Sequence, residues 1–170
     1  SIEAVQKLAS KQKQQAVLQD AVIAAIADTT IISDSTKNEV LKSTYGPFVA
    51  SASGERKISY IENELIKVGI SNKGGRIVSV QLKKYRTHDS LPLLLCDEDS
   101  SRFGLSFIAQ NRGFSTDTLY FTPVGNSFTV NGTDSNKLSM RLQAAPGKYL
   151  EFEYRLKGNS YLMDCNINTV

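Results

Sequence analysis

The sequence predicts a mostly β protein, an antiparallel sandwich entered through an N-terminal helical and linker segment. Three observations carry this. From Arg56 onward, apolar residues alternate with polar ones in short runs, the two-residue period of half-buried strands. Turn-forming pairs such as Gly74-Gly75, Asn131-Gly132 and Gly158-Asn159 separate those runs. Before Asp28 the period is instead three to four, with no Gly or Pro until Gly46. No alternation of strand and helix follows, so a parallel α/β fold is excluded.

Taken in order, Ile2, Val5, Leu8, Leu18, Ala21, Val22, Ala25 and Ile26 outline a helix to about Ala27. Its apolar face thins across Lys11 to Gln15, which makes it a marginal helix and a spacer rather than an interfacial membrane helix. Residues 28–54 are dense in Ser, Thr, Asp and Asn and read as a tether, with a short second helix expected from Ser35 to Lys42. The expected division is therefore a helical spacer and linker over 1–55 and a sandwich portion over 56–170.

The clearest element of the second part is a hairpin. Ile66, Val68 and Ile70 fall on one face of its first strand, and Val78, Val80 and Leu82 on one face of its second. Between them Asn72, Gly74 and Gly75 are expected to supply the positive φ angles of the reversal. Slipping the pairing by one residue would turn all these side chains outward, so the register is well specified.

Further strands follow. Pro92 confines Leu91–Cys96 to a strand start or an edge. Phe103, Leu105, Phe107 and Ala109 alternate, and residues 110–118 read as a loop. Leu119, Phe121, Phe128 and Val130 lead to the Asn131-Gly132 turn. Leu138, Met140 and Leu142 alternate, then Leu150, Phe152, Tyr154 and Leu156, and finally Met163, Cys165 and Ile167 are expected to face inward.

Composition narrows function mainly by exclusion. The chain has 170 residues, 41% hydrophobic and 22% charged, enough for a domain with a core. A net charge of +3 with dispersed lysines and arginines gives no nucleic-acid footprint. No run of about 18 apolar residues is present to span a bilayer. The start at Ser1, with no signal peptide, reads as an excised fragment.

Catalytic and metal-binding motifs are not found. His88, the one histidine, sits beside Asp89 in an expected turn, where such a pair is ordinary solvated surface. General acid–base chemistry needs groups converging in a cleft. The acidic run Asp97 to Ser101 lacks the alternating framework and terminal Glu of a calcium loop, and no cofactor motif occurs. Cys165 reads as a small buried residue rather than one half of a bridge to Cys96. Tyr120 and Tyr149 lie out of phase with their inward neighbours and are candidates for exposed aromatics. No binding residue can be assigned from these patterns; a free edge strand could take an extended polypeptide by strand addition.

The stretch ENELIKVGISNKGGRIVSVQLKKYRT, followed by PLLLCDED, resembles the opening strands of the large periplasmic domain of the YidC membrane protein insertases. KYLEFEYRLKGNSYLMDCNINTV is similar to a later hairpin of that domain, so the resemblance runs from Arg56 to Val170. It implies a twisted sandwich of the galactose-mutarotase kind, cut near its middle. It also implies a non-catalytic domain without cofactor, facing the periplasm from a multi-pass inner-membrane parent that carries an upstream transmembrane helix. The implied partners are the Sec translocon (SecYEG, with SecD and SecF) and nascent membrane proteins. The competing reading is a carbohydrate- or peptide-binding sandwich module, against which the absence of tryptophan weighs on the sugar side.

Overall fold

The computed structural model describes residues 34–97, 103–109 and 111–170. The helix expected over Ile2–Ala27 lies outside them, as does the acidic run beyond Asp97.

The described chain opens with helix α1, Asp34–Tyr45, followed by a 3-10 turn, Gly46–Ser51. Gly46 adopts φ 53°, the left-handed conformation that ends a helix without a Cβ clash. Helix α1 runs three residues past the expected Lys42. Its last residue, Tyr45, is buried, and so are Phe48 and Ala52 beyond it. The tether reading therefore does not hold for this stretch, which packs into the core. Polar composition correctly marked the breaks, but two aromatic rings of about 1.5–3 kcal/mol each on burial are enough to dock a short segment.

Two sheets follow. The first holds β1 (Ile58–Glu62), β2 (Ile66–Ser71), β3 (Ile77–Arg86), β4 (Pro92–Cys96) and β8 (Phe128–Thr129), in the order β4-β3-β2-β1-β8. The second holds β7 (Thr122–Val124), β9 (Ser135–Ala145), β10 (Lys148–Lys157) and β11 (Met163–Thr169), in the order β11-β10-β9-β7. A separate hairpin joins β5 (Ser106–Ala109) to β6 (Arg112–Ser115) and leads into a 3-10 turn at Thr116–Thr118. All pairings are antiparallel except a two-residue parallel contact of β1 with β8. This is the antiparallel sandwich expected, with β1 and β6 as additional strands. Residues 112–115 were expected as loop, yet Phe114 is buried and stacks on Phe107 across the hairpin, with centroids 5.8 Å apart. One buried aromatic in a polar run gives no period to read.

The core lies between the layers. Ile61, Ile66, Val68 and Ile70 of the first sheet pack with Leu138, Met140, Leu142, Phe152, Tyr154 and Leu156 of the second. Phe48 closes the side, edge-on to Phe107 at 5.4 Å and Phe114 at 5.1 Å. Arg112 also donates to the Ser43 carbonyl, fixing α1 to the β5–β6 hairpin.

The β2–β3 hairpin keeps its expected register, with Ile66 opposite Leu82 and Val68 opposite Val80, but a bulge intervenes before Ile70 pairs with Ile77. Ile77 consequently takes a core-facing place, and Val78 is buried outside the main cluster. An extra residue in one strand shifts the alternation on one side of it. Gly74 and Gly75 carry the positive φ angles, 82° and 62°. Asn72 does not; its side chain instead accepts from the Lys57 amide at 2.8 Å and donates to the Glu55 carbonyl at 3.0 Å. At Gly75 a Cβ would stand 3.0 Å from both Phe121 and Phe152, so the turn presses directly on the opposite layer. Tyr154 completes that contact by donating its hydroxyl to the Gly75 carbonyl at 2.6 Å.

Candidate interaction surface

The residues that could carry chemistry are dispersed. His88 Nε2 lies 3.0 Å from Asp89 Oδ1, both exposed on the β3–β4 turn. Among the described residues no three His, Cys, Asp or Glu side chains group as metal ligands. Cys96 and Cys165 are free thiols on the outermost strands of different sheets.

Cys165 was expected inside and is exposed. Its phase was read correctly, since Leu156, Tyr154 and Phe152 pair with Met163, Cys165 and Ile167. Only Met163 reaches the core, however, and Ile167 is 47% exposed. Strand β11 is the edge of its sheet, and few side chains of the facing layer reach over it. Burial beside β10 raises the Cys165 thiol above its ordinary range, partly offset by the Tyr154 hydroxyl. Burial also raises the Tyr154 phenol, with Cys165 adding to the effect.

The two tyrosines singled out as possible platforms are half-buried and already engaged. Lys73 sits over the Tyr120 ring at 5.8 Å, and Gly54 lies against the same ring. Arg141 covers Tyr149 at 4.0 Å and binds Glu151 with Nη2 at 2.7 Å. Neither presents an open stacking face.

Among the described residues, what remains available is backbone at the sheet margins. On one side the sandwich ends in β7 and β8, three and two residues long, with Pro123 inside β7. Short strands and prolines are the usual protection of a sheet edge. The other side ends in β4 and β11, five and seven residues long. Leu94 and Leu95 of β4 are exposed, Leu95 by 63%, and Leu162 just before β11 by 82%. Tyr85 of β3 and Tyr161, two residues before β11, place their rings 6.4 Å apart. The periodicity of β11 was legible in sequence, but it carries no local sign, such as Pro92 gives β4, that it ends a sheet.

The fold defines a class: a two-layer, mostly antiparallel β domain with exposed strand margins. Comparison with known proteins narrows it. The family model for the YidC periplasmic domain matches residues 59–170, and the chain belongs to that family. It is similar to the membrane protein insertase YidC of Parabacteroides distasonis, 37% identical over 135 residues, covering 79% of this chain and 20% of that protein. The YidC of Phocaeicola vulgatus is 31% identical over 165 residues, covering 97% and 24%. That of Porphyromonas gingivalis is 32% identical over 170 residues, covering 98% and 26%. The chain thus spans about a fifth to a quarter of these relatives. No helix among the described residues is long and apolar enough to cross a membrane.

Proposed function

We propose that this chain is an accessory, non-catalytic periplasmic domain of a membrane protein insertase. Residues 1–55 lead in from a membrane-anchored part, and residues 56–170 form the sandwich portion, with Tyr45 and Phe48 docking the lead-in on the core. The parent resides in the bacterial inner membrane and serves nascent membrane proteins, alone or with the Sec translocon. The domain's part is to scaffold or to contact translocon components such as SecYEG, SecD and SecF.

The observation that carries this reading is family membership across most of the sandwich, joined to a surface whose open feature is strand margin. Catalysis finds no support among the described residues, where the single histidine is 90% exposed beside Asp89 and no three His, Cys, Asp or Glu side chains group together. A sugar-binding module is disfavoured by Tyr120 and Tyr149, whose ring faces are covered by Lys73 and Arg141. Peptide binding is the stronger second reading, since exposed β4 and β11 can accept an added strand.

The test is deletion of residues 45–170 from the full-length parent, in cells depleted of their own insertase. Retained insertion of membrane proteins, with loss of crosslinks to Sec components, is expected. Complete loss of insertion from a parent still stably present in the membrane would overturn the accessory role. Saturable binding of an oligosaccharide by the chain would favour the module reading instead.

A further inference from the structure

Three turns converge at one end of the sandwich: β1–β2 at residues 63–65, β8–β9 at 130–134 and β10–β11 at 158–162. They are pressed together. The Gly158 amide donates to the Asp134 carbonyl at 2.8 Å, and a Cβ on Gly158 would lie 2.4 Å from the Asn131 carbonyl carbon. Two neighbouring side chains, from the β1–β2 turn, hold the assembly in different ways.

Asn63 is wholly buried. Its Nδ2 donates to the carbonyls of Lys157 and Ser160, each at 2.7 Å, while its Oδ1 accepts from the amides of Leu65 and Ile66, each at 2.8 Å. Both donors and both acceptor sites of the amide are thereby used, and none of these bonds depends on a proton. Glu64 is exposed, and each of its carboxylate oxygens accepts from a different turn. Oε1 takes the Gly132 amide at 2.7 Å, and Oε2 takes the Asn159 amide at 2.9 Å. Glu64 thus ties the β8–β9 and β10–β11 turns through one titratable group, whereas Asn63 ties the β1–β2 turn to the β10–β11 end alone.

We infer that Glu64 is a proton-operated latch: as a carboxylate it clasps the β8–β9 and β10–β11 turns, and on protonation it releases one or both while Asn63 keeps the layers joined. The chemistry is direct. A protonated carboxyl oxygen is a donor, and facing a backbone N–H it sets donor against donor. The other oxygen, now part of a neutral group, accepts more weakly.

The surrounding charges act in the same direction. The Gly132 and Asn159 amides, in that order, hold the Glu64 carboxyl below the usual glutamate range, and Lys84 of β3 adds a smaller attraction. Lys83 is engaged by Glu62 at 3.0 Å and by the Asn63 carbonyl at 2.6 Å. Asp134 and Lys157 flank the two donor turns in sequence. Because the folded-state value is lowered, the latch is closed above the ordinary glutamate range and opens only as pH falls through the lower, folded value. Opening loosens the segment carrying exposed Tyr161 and Leu162.

The experiment is an acid titration of the whole 170-residue chain by amide NMR, comparing the native sequence with Glu64→Gln. The Gly132 and Asn159 amides are expected to shift together, with one shared midpoint below that of an ordinary glutamate. In Glu64→Gln this shared titration disappears, and exchange of both amides at neutral pH, corrected for intrinsic rates, rises roughly tenfold. The Leu65 and Ile66 amides, held by Asn63, keep their protection in both proteins. Separate midpoints for Gly132 and Asn159, or a titration that persists in Glu64→Gln, would overturn the latch. So would loss of Leu65 and Ile66 protection alongside them, because the end would then open as a unit.

Discussion

Strands β10 and β11 run side by side, paired residue for residue from Leu150–Thr169 to Leu156–Met163, and both alternate apolar with polar side chains. Their environments are nonetheless opposite. In β10 the inward residues Phe152, Tyr154 and Leu156 are sealed. The outward Glu151 and Glu153 are also nearly covered, under Arg141, Lys137 and Arg155. In β11 every residue after Met163 is exposed. The difference teaches that alternation states which face a side chain shares, whereas the layer opposite states whether that face is dry.

The comparison breaks most visibly in a pair of truncations. Phe152→Ala should destabilise the chain by about 3–5 kcal/mol in urea unfolding, because it empties a site packed by Phe121 at 5.1 Å and Phe103 at 5.7 Å. Ile167→Ala, its cross-strand partner, should stay within about 0.5 kcal/mol. Equal losses would mean that β11 is covered in solution. Phe48→Ala extends the contrast to the lead-in: a loss of about 3 kcal/mol is expected if this segment belongs to the core, and almost none if it is a tether.

Smaller effects sharpen the picture. Tyr154→Phe keeps the ring and removes the hydroxyl that reaches Gly75, leaving a carbonyl without that donor. A loss of about 1–2 kcal/mol is expected, seen as a lower denaturation midpoint at unchanged m-value. The outer face of β10 should show itself in acid. Hydrogen bonding to Lys137, at 2.6 Å, is the main cause holding the Glu153 carboxyl below its usual range, and Arg155 contributes less. A lowered folded-state value means that this stabilisation is complete at neutral pH. It fades as pH falls from the ordinary glutamate range through the lower folded one. Glu153→Gln should therefore flatten the acid limb of a stability-against-pH curve while leaving the limb above neutrality in place.

Much of this molecule was readable along the chain. The β2–β3 hairpin register followed from Ile66, Val68, Val80 and Leu82, whose two-residue spacing leaves one face to bury. The amide that proline lacks confined the Pro92 segment to a strand start or an edge, and Pro92 begins an edge strand. Three features were hidden. The bulge at Val78 re-phases β3 through a pairing irregularity that side-chain period does not encode. Asn72 looked like a turn residue by type, yet its amide is used to hold Glu55 and Lys57. The clasp formed by Asn63 and Glu64 joins turns nearly a hundred positions apart, and no local window contains both partners.

By itself the chain of residues determined most of the strands and which side chains share a face within each unbroken run. These depend on backbone geometry and residue chemistry, which act over a few positions. Only the tertiary arrangement decided that Tyr45 and Phe48 enter the core and that β11 ends its sheet. It also decided that Cys165 and Ile167 stay wet despite their inward phase. Burial requires a second surface at van der Waals distance, and that surface comes from residues remote in sequence.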